Sequence, residues 1–296
     1  MAPQQFGGAW TEEKLSALQE YLRQYLRIFD ANPAARKLTR HYVDAFAGSG
    51  LRELRRQERG GRHQQELEFE FEEVARFADG SVKKVLSLES AFHHYHLVER
   101  DPDRAAELRA MISREFAGRS ALCSVVCEDA NAFLSSWAEA LGPLERAVVF
   151  LDPYGMAVDW ATIAKLGRTQ KVDLWLLFPM SAVIRMLPNS GPPSDEWAKV
   201  LDRIFGTHDW IKTFYPADTQ GTLFDSVNTV RRDVDVDRVG EFFRARLGDA
   251  FHKVAPKALT LYNSRRSPLF QLVFAAANPR GAVPAIRIAK HILGRP

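Results

Sequence analysis

Residues 148–155 read VVFLDPYG. An apolar run of this length suits a strand buried on both faces. The Asp152, Pro153, Tyr154 and Gly155 that follow do not suit a core. One reading is a plain turn, since Asp-Pro and Gly punctuate chains everywhere. The other is a strand that delivers a carboxylate and a ring to its own tip. The neighbouring segments decide between the two.

Upstream, HYVDAF (41–46) is a short apolar run that ends in AGSG. YHLVE (95–99) is a second, followed by the helical RDPDRAAELRAMISREF. LCSVVC (122–127) is a third, followed by NAFLSSWAEAL. RAVVFLD (146–152) is the fourth, followed by WATIAKLG, and VDLWLLFP (172–179) is the fifth. Strands alternating with helices through short connections predict an open, mostly parallel α/β sheet, doubly wound, of about seven strands. ALTLYNSRRSPLFQLVFAAANPRG (258–281) predicts a C-terminal antiparallel hairpin. WTEEKLSALQEYLRQYLRIF places Leu15, Leu18, Tyr21, Leu22, Tyr25 and Leu26 at helical spacing. It predicts an N-terminal amphipathic helix over about residues 10–30, with Thr11 as its capped start.

The chain has 296 residues, is 46% hydrophobic and 26% charged, and carries a net charge of +3. It is expected to fold as a single domain over 1–296, with excursions at about 51–80 and 188–235. The first excursion is charge-rich, and its LEFEFEEV suggests an added strand. The second holds the clusters PNSGPPSD and YPADTQG. The charge excess is too small to argue nucleic-acid binding by itself. Two cysteines, Cys123 and Cys127, read as core thiols of a reducing compartment, and without a CxxC pair no metal site is expected. With neither a signal core nor a membrane-length apolar run, the expected location is cytoplasmic.

Ligands of open α/β sheets bind at the carboxyl tips of the strands. Here each tip ends in something polar or flexible. Gly48 and Gly50 permit a tight turn and close approach of a ligand to backbone. Glu99 can accept both hydroxyls of a ribose, and Asp129 an adenine amine, with Ala130 beginning the next helix. Taken singly, Glu99 and Asp129 also read as helix-capping acids. A dinucleotide site wants GxGxxG, and GSGLRE lacks its third small residue, which disfavours a nicotinamide cofactor. S-adenosylmethionine needs no phosphate cradle and fits the four tips.

DAFAGSG resembles the first motif of S-adenosylmethionine-dependent methyltransferases. On that resemblance Asp44, Phe46, Gly48 and Gly50 line the cofactor site. LDPYG resembles the DPPY/NPPY tetrad of amino-methyltransferases that act on nucleobases, and the Asp-Pro-Phe-Gly loop of tRNA guanine-N2 dimethyltransferases. The resemblance implies that Asp152 and a backbone carbonyl hold the target amine while Tyr154 stacks on an extruded base, with Pro153 between them. In the tetrad the ring stands fourth, whereas here it stands third. WTEEKLSALQEYLRQYL, YVDAFAGSG, LVERDPDR, FLDPYG and NSRRSPLFQLVFAAANPRG together are similar to the three-Cys-motif partner protein family, across about residues 10–290. This implies a partner encoded nearby, a radical-enzyme-like protein with a three-cysteine motif. Two functions follow as expectations: methyl transfer to an amine of a nucleobase in RNA or DNA, or a catalytically silent, methyltransferase-like partner module.

Three further stretches invite functional readings. FHHYH (92–96) is read as a partly exposed strand entry rather than a metal site. LRELRRQERGGR (51–62) holds five arginines and reads as a solvated face or a phosphate-contacting patch. Arg265 and Arg266 mark an exposed turn, and Phe178 and Pro179 the core end of the fifth strand.

Overall fold

The computed structural model describes residues 9–47, 78–153, 155–216, 233–263 and 265–294. Strands β1 (Thr39–Asp44), β2 (His94–Val98), β3 (Cys123–Val126), β4 (Glu145–Leu151) and β5 (Val172–Phe178) pair in parallel. Beyond β5, strand β8 (Pro268–Ala276) runs antiparallel. Its far edge is shared by β6 (Lys253–Val254) and β7 (Leu259–Tyr262), both antiparallel to it. The order is β3-β2-β1-β4-β5-β8-β6, with β7 beside β6 on β8. This is the expected mostly parallel sheet with a C-terminal antiparallel hairpin. Among the described residues the strands number eight because two short ones share the last edge.

Burial alternates by face along the strands. Val148, Phe150, Trp175 and Leu177 join the core formed with α1 (Ala9–Ala31), α2 (Ala78–Leu86), α3 (Pro102–Glu115) and α10 (Ala282–Leu293). Ala147, Val149, Leu151, Leu174, Leu176 and Phe178 face the other core. That one is closed by α4 (Ala130–Ala140), α5 (Trp160–Arg168) and α9 (Val236–Ala250), together with α6 (Met180–Arg185), α7 (Asp195–Phe205) and α8 (Trp210–Phe214). VVFL is apolar throughout because each face of β4 is covered.

The second excursion is not only loop. Leu201, Ile204, Phe205, Trp210 and Phe214 from α7 and α8 are buried in the second core. The first excursion, including LEFEFEEV and the arginine run, lies outside the described residues, apart from the start of α2. Helix α1 begins at Ala9, ahead of the Thr11 cap read from the sequence. The cysteines also depart from expectation: Cys123 is half-buried and Cys127 is exposed, because β3 stops at Val126 on the sheet edge. Among the described residues, no helix is long and apolar enough to cross a membrane.

Helix α7 ends on Gly206 at φ 67°, whose N–H bonds the Asp202 carbonyl at 2.7 Å. A Cβ there would stand 1.8 Å from Trp160 Cδ1. Gly206→Ala combines left-handed strain with a clash in a packed core. We expect a loss of about 2 kcal/mol in a urea melt, and unchanged stability would show that Trp160 yields freely.

Candidate functional site

The sheet reverses its winding at β1, whose neighbours β2 and β4 lead in opposite directions. In open α/β sheets the ligand crevice lies outside the carboxyl ends of the strands at such a switch point, here those of β1 and β4. Three carboxylates stand at the successive tips of β2, β1 and β4: Glu99, Asp44 and Asp152.

Asp44 is buried at the end of β1. Ser81 Oγ of α2 donates to its Oδ2 at 2.7 Å, and the Phe46 N–H donates to its Oδ1 at 3.2 Å. Burial pushes the Asp44 carboxyl up to about 7; the Ser81 hydrogen bond opposes the rise, and the Asp152 charge adds to it. The chain beyond Asp44 stays clamped between its neighbours. The Ala45 N–H bonds the Phe150 carbonyl at 3.2 Å and the Ala47 N–H bonds the Val98 carbonyl at 2.9 Å. Gly48 and Gly50 lie outside the described residues.

Glu99 directly follows β2 and is 5% exposed. Its Oε1 accepts the Asp101 N–H at 2.7 Å. Its Oε2 is buried with no hydrogen-bond partner among the described residues. Burial raises the Glu99 carboxyl above the usual range. The cap of α3 is Asp101, which accepts the Asp103 and Arg104 N–H groups at 3.0 and 3.1 Å. Glu99 is therefore not spent on that helix. Asp129 is spent, in part: its Oδ1 caps α4 by accepting the Asn131 and Ala132 N–H groups at 3.0 and 3.1 Å, while the residue stays exposed and Ala130 is buried.

Asp152 follows β4. Its Oδ2 lies 2.5 Å from Nζ of Lys14, a fully buried side chain of α1. Its Oδ1 is buried without a hydrogen-bond partner among the described residues. Pro153 is buried, Gly155 turns the chain at φ 52°, and Tyr154 lies outside the described residues. Past the turn, Pro153, Gly155, Met156, Phe178, Pro179 and Phe243 line a small apolar hollow. Phe178 stacks on Phe243 at 4.0 Å between ring centroids, the core end expected of it. Asn131 pins the far side of the turn, donating to the Ala157 carbonyl at 2.7 Å and accepting the Asp159 N–H and the Thr162 hydroxyl at 3.0 Å each.

Sequence reasoning missed Lys14, Ser81, Asn131 and Asp173. A signal existed for Lys14, which falls on the apolar stripe of α1, four residues before Leu18 and seven before Tyr21. Asp173 sits at the start of β5, at the opposite end of the sheet, and accepts the Tyr21 hydroxyl at 2.6 Å. Burial pushes its carboxyl from 3.8 up to about 7. A raised carboxyl favours the folded state at low pH, and the contribution is lost as pH rises through about 7. Its full size is on the order of 4 kcal/mol. Asp173→Asn keeps an acceptor for Tyr21 and does not titrate. The variant should be the more stable protein at about pH 9 and not at about pH 5; parallel melting curves across pH would reject the titration.

Away from the tips, His41 Nδ1 meets His96 Nε2 at 3.1 Å and His41 Nε2 meets Glu145 at 3.2 Å. His93 and His94 are exposed, as the strand-entry reading expects. Among the described residues no group of three or more His, Cys, Asp or Glu is placed to hold a metal ion. Arg265 and Arg266 are exposed in the β7–β8 turn.

No family model matches the chain. Among curated proteins, too, none matches. Solved structures resemble it distantly. Protein LPL1258 of Legionella pneumophila is 10% identical at TM-score 0.43, over 94% of this chain and 90% of that one. Spermidine synthase from Thermotoga maritima is 9% identical at TM-score 0.38, over 81% and 54%. The glycopeptide N-methyltransferase MtfA, complexed with S-adenosyl-L-methionine, is 13% identical at TM-score 0.35, over 93% and 98%. Likenesses this distant establish neither family nor chemistry, and the fold assignment stands on the sheet order itself.

Proposed function

We propose that this chain is an S-adenosylmethionine-dependent methyltransferase acting on an amine, with a nucleobase of RNA or DNA as the acceptor class. The observation that carries the reading is the charge and satisfaction of the crevice. Glu99, Asp44 and Asp152 surround it, and Glu99 and Asp152 each keep a buried oxygen with no partner among the described residues. Buried acceptors are costly unless something donates to them. A ribose can donate two hydroxyls to Glu99, and an amine can donate an N–H to Asp152 Oδ1.

When bound, S-adenosylmethionine supplies a methyl on a sulfonium: the acceptor nitrogen's lone pair makes the new N–C bond, the C–S pair stays on sulfur, and the acceptor's surplus proton leaves to water. The chain's own part is positioning. Glu99 holds the sugar, Asp44 and the backbone after it face the amino-acid end, and Asp152 Oδ1 orients the acceptor N–H. In this reading Asp129 contributes its remaining oxygen to the adenine, and Tyr154 the stacking ring.

Calorimetry tests the cofactor and labelling tests the transfer. The protein should bind S-adenosylmethionine and S-adenosylhomocysteine and ignore NAD. It should also move a tritiated methyl into total RNA or DNA. Binding without transfer would favour the second reading, a silent partner of a three-cysteine-motif protein. That reading draws on the Lys14 ammonium already seated on Asp152 Oδ2.

A further inference from the structure

We infer that Lys14 is a positioning residue of the transfer site, holding the Asp152 carboxylate turned so that Oδ1 is the oxygen left for the acceptor's N–H. The inference rests on the methyl-transfer reading and deepens it, because it makes the N-terminal helix part of the reaction centre.

Packing does not explain a lysine here. Position 14 lies on the stripe that continues through Leu18, Tyr21 and Tyr25, all buried, and Lys14 itself is 0% exposed. An aliphatic side chain would fill that place with no charge to desolvate, and a buried ion pair is weak evidence for stability. Anchoring does not explain it either. Two turns on, the same helix is fastened to Asp173 by the neutral hydroxyl of Tyr21. Where α1 meets Asp152, a charged group is used instead.

The charge has a use in the crevice. The Asp152 charge raises the cost of ionising Asp44, and Lys14 acts on Asp44 in the opposite sense. Without Lys14, neither Asp152 oxygen has a hydrogen-bond partner among the described residues to fix the rotation of the carboxylate. With Nζ on Oδ2 at 2.5 Å, the carboxylate stays an acceptor, and its buried Oδ1 has no partner among the described residues. Lys14 makes and breaks no bond in this scheme.

The experiment compares wild type with Lys14→Met and Lys14→Arg, using S-adenosylhomocysteine calorimetry and tritiated methyl transfer into total RNA and DNA. Lys14→Met should keep S-adenosylhomocysteine affinity within about threefold while kcat for transfer falls about 100-fold at neutral pH. The KM for nucleic acid should change little. Lys14→Arg, which keeps the charge, should retain about a tenth of the wild-type rate or more. Transfer by Lys14→Met at the wild-type rate would overturn the assignment of Lys14 alone. So would a loss that Lys14→Arg shares in full, or methyl found by mass spectrometry on Lys14 itself, which would make it the acceptor. Should Lys14→Met fail to fold, Lys14→Arg decides: near-normal transfer supports the role, and a 100-fold loss with intact binding overturns it. Wild type that binds S-adenosylhomocysteine but transfers nothing overturns the role together with the transferase reading. Wild type that does neither removes the cofactor assignment as well.

Discussion

Asp152→Ala should destabilise the protein by about 3–5 kcal/mol, and adding Lys14→Met should recover most of that loss. The Lys14 ammonium is 0% exposed and lies 2.5 Å from the Asp152 carboxylate. Removing the carboxylate leaves its balancing charge in a low-dielectric core. Removing both replaces an ion pair by apolar surface, which proteins tolerate well. Urea denaturation of the two single variants and the double variant measures the coupling. A loss in the double variant equal to the sum of the two single losses would mean that the pair is not coupled in solution. This expectation governs how the site is to be tested. An inactive Asp152→Ala protein says nothing about transfer unless it is folded. Asp152→Asn keeps the side chain's shape and one carbonyl oxygen. Under the proposed function it should lower transfer by about 100-fold while S-adenosylhomocysteine affinity stays within about threefold.

Glu99→Ala should weaken S-adenosylhomocysteine by about tenfold or more and leave the free protein's melting temperature nearly unchanged. Hydrogen bonds to a charged acceptor contribute about 1.5–3 kcal/mol each, so a ribose pair exceeds the tenfold mark readily. The free protein loses little, because burial already works against the Glu99 carboxylate and its Oε2 has no partner among the described residues. The Asp101 N–H loses an acceptor, and Asp101 still caps α3. Calorimetry settles the point: native affinity in Glu99→Ala removes Glu99 from the ligand, and a large fall in melting temperature with weaker binding makes its role structural.

The tip carboxylates could be read in advance because they are local features. Asp44, Glu99 and Asp152 each stand at or next to the last residue of a run whose apolar character marks a strand, and a strand's carboxyl end is a place that sequence alone can name. Asp129 was ambiguous for the same reason. Its position before a helix suits an N-cap and a ligand equally, and the structure shows the cap without excluding an outward oxygen. The cysteines misled because an apolar run was extended past its true end, where the edge strand β3 gives way to an exposed residue.

The sequence by itself determined the five parallel strands, their order of appearance, the C-terminal hairpin, the helices after β2, β3 and β4 and the amphipathic stripe of α1, since hydrophobic periodicity reports which faces must leave water. Tertiary structure alone decided that Lys14 reaches Asp152, 138 residues away, that Tyr21 reaches Asp173, 152 residues away, and that Ser81 closes on Asp44. Periodicity says that a helix face is buried but not against which strand end. That choice comes from how α1 and α2 pack on the sheet. It converts a lysine on an apolar stripe, unfavourable on its own, into the counter-charge of a carboxylate at the other side of the crevice.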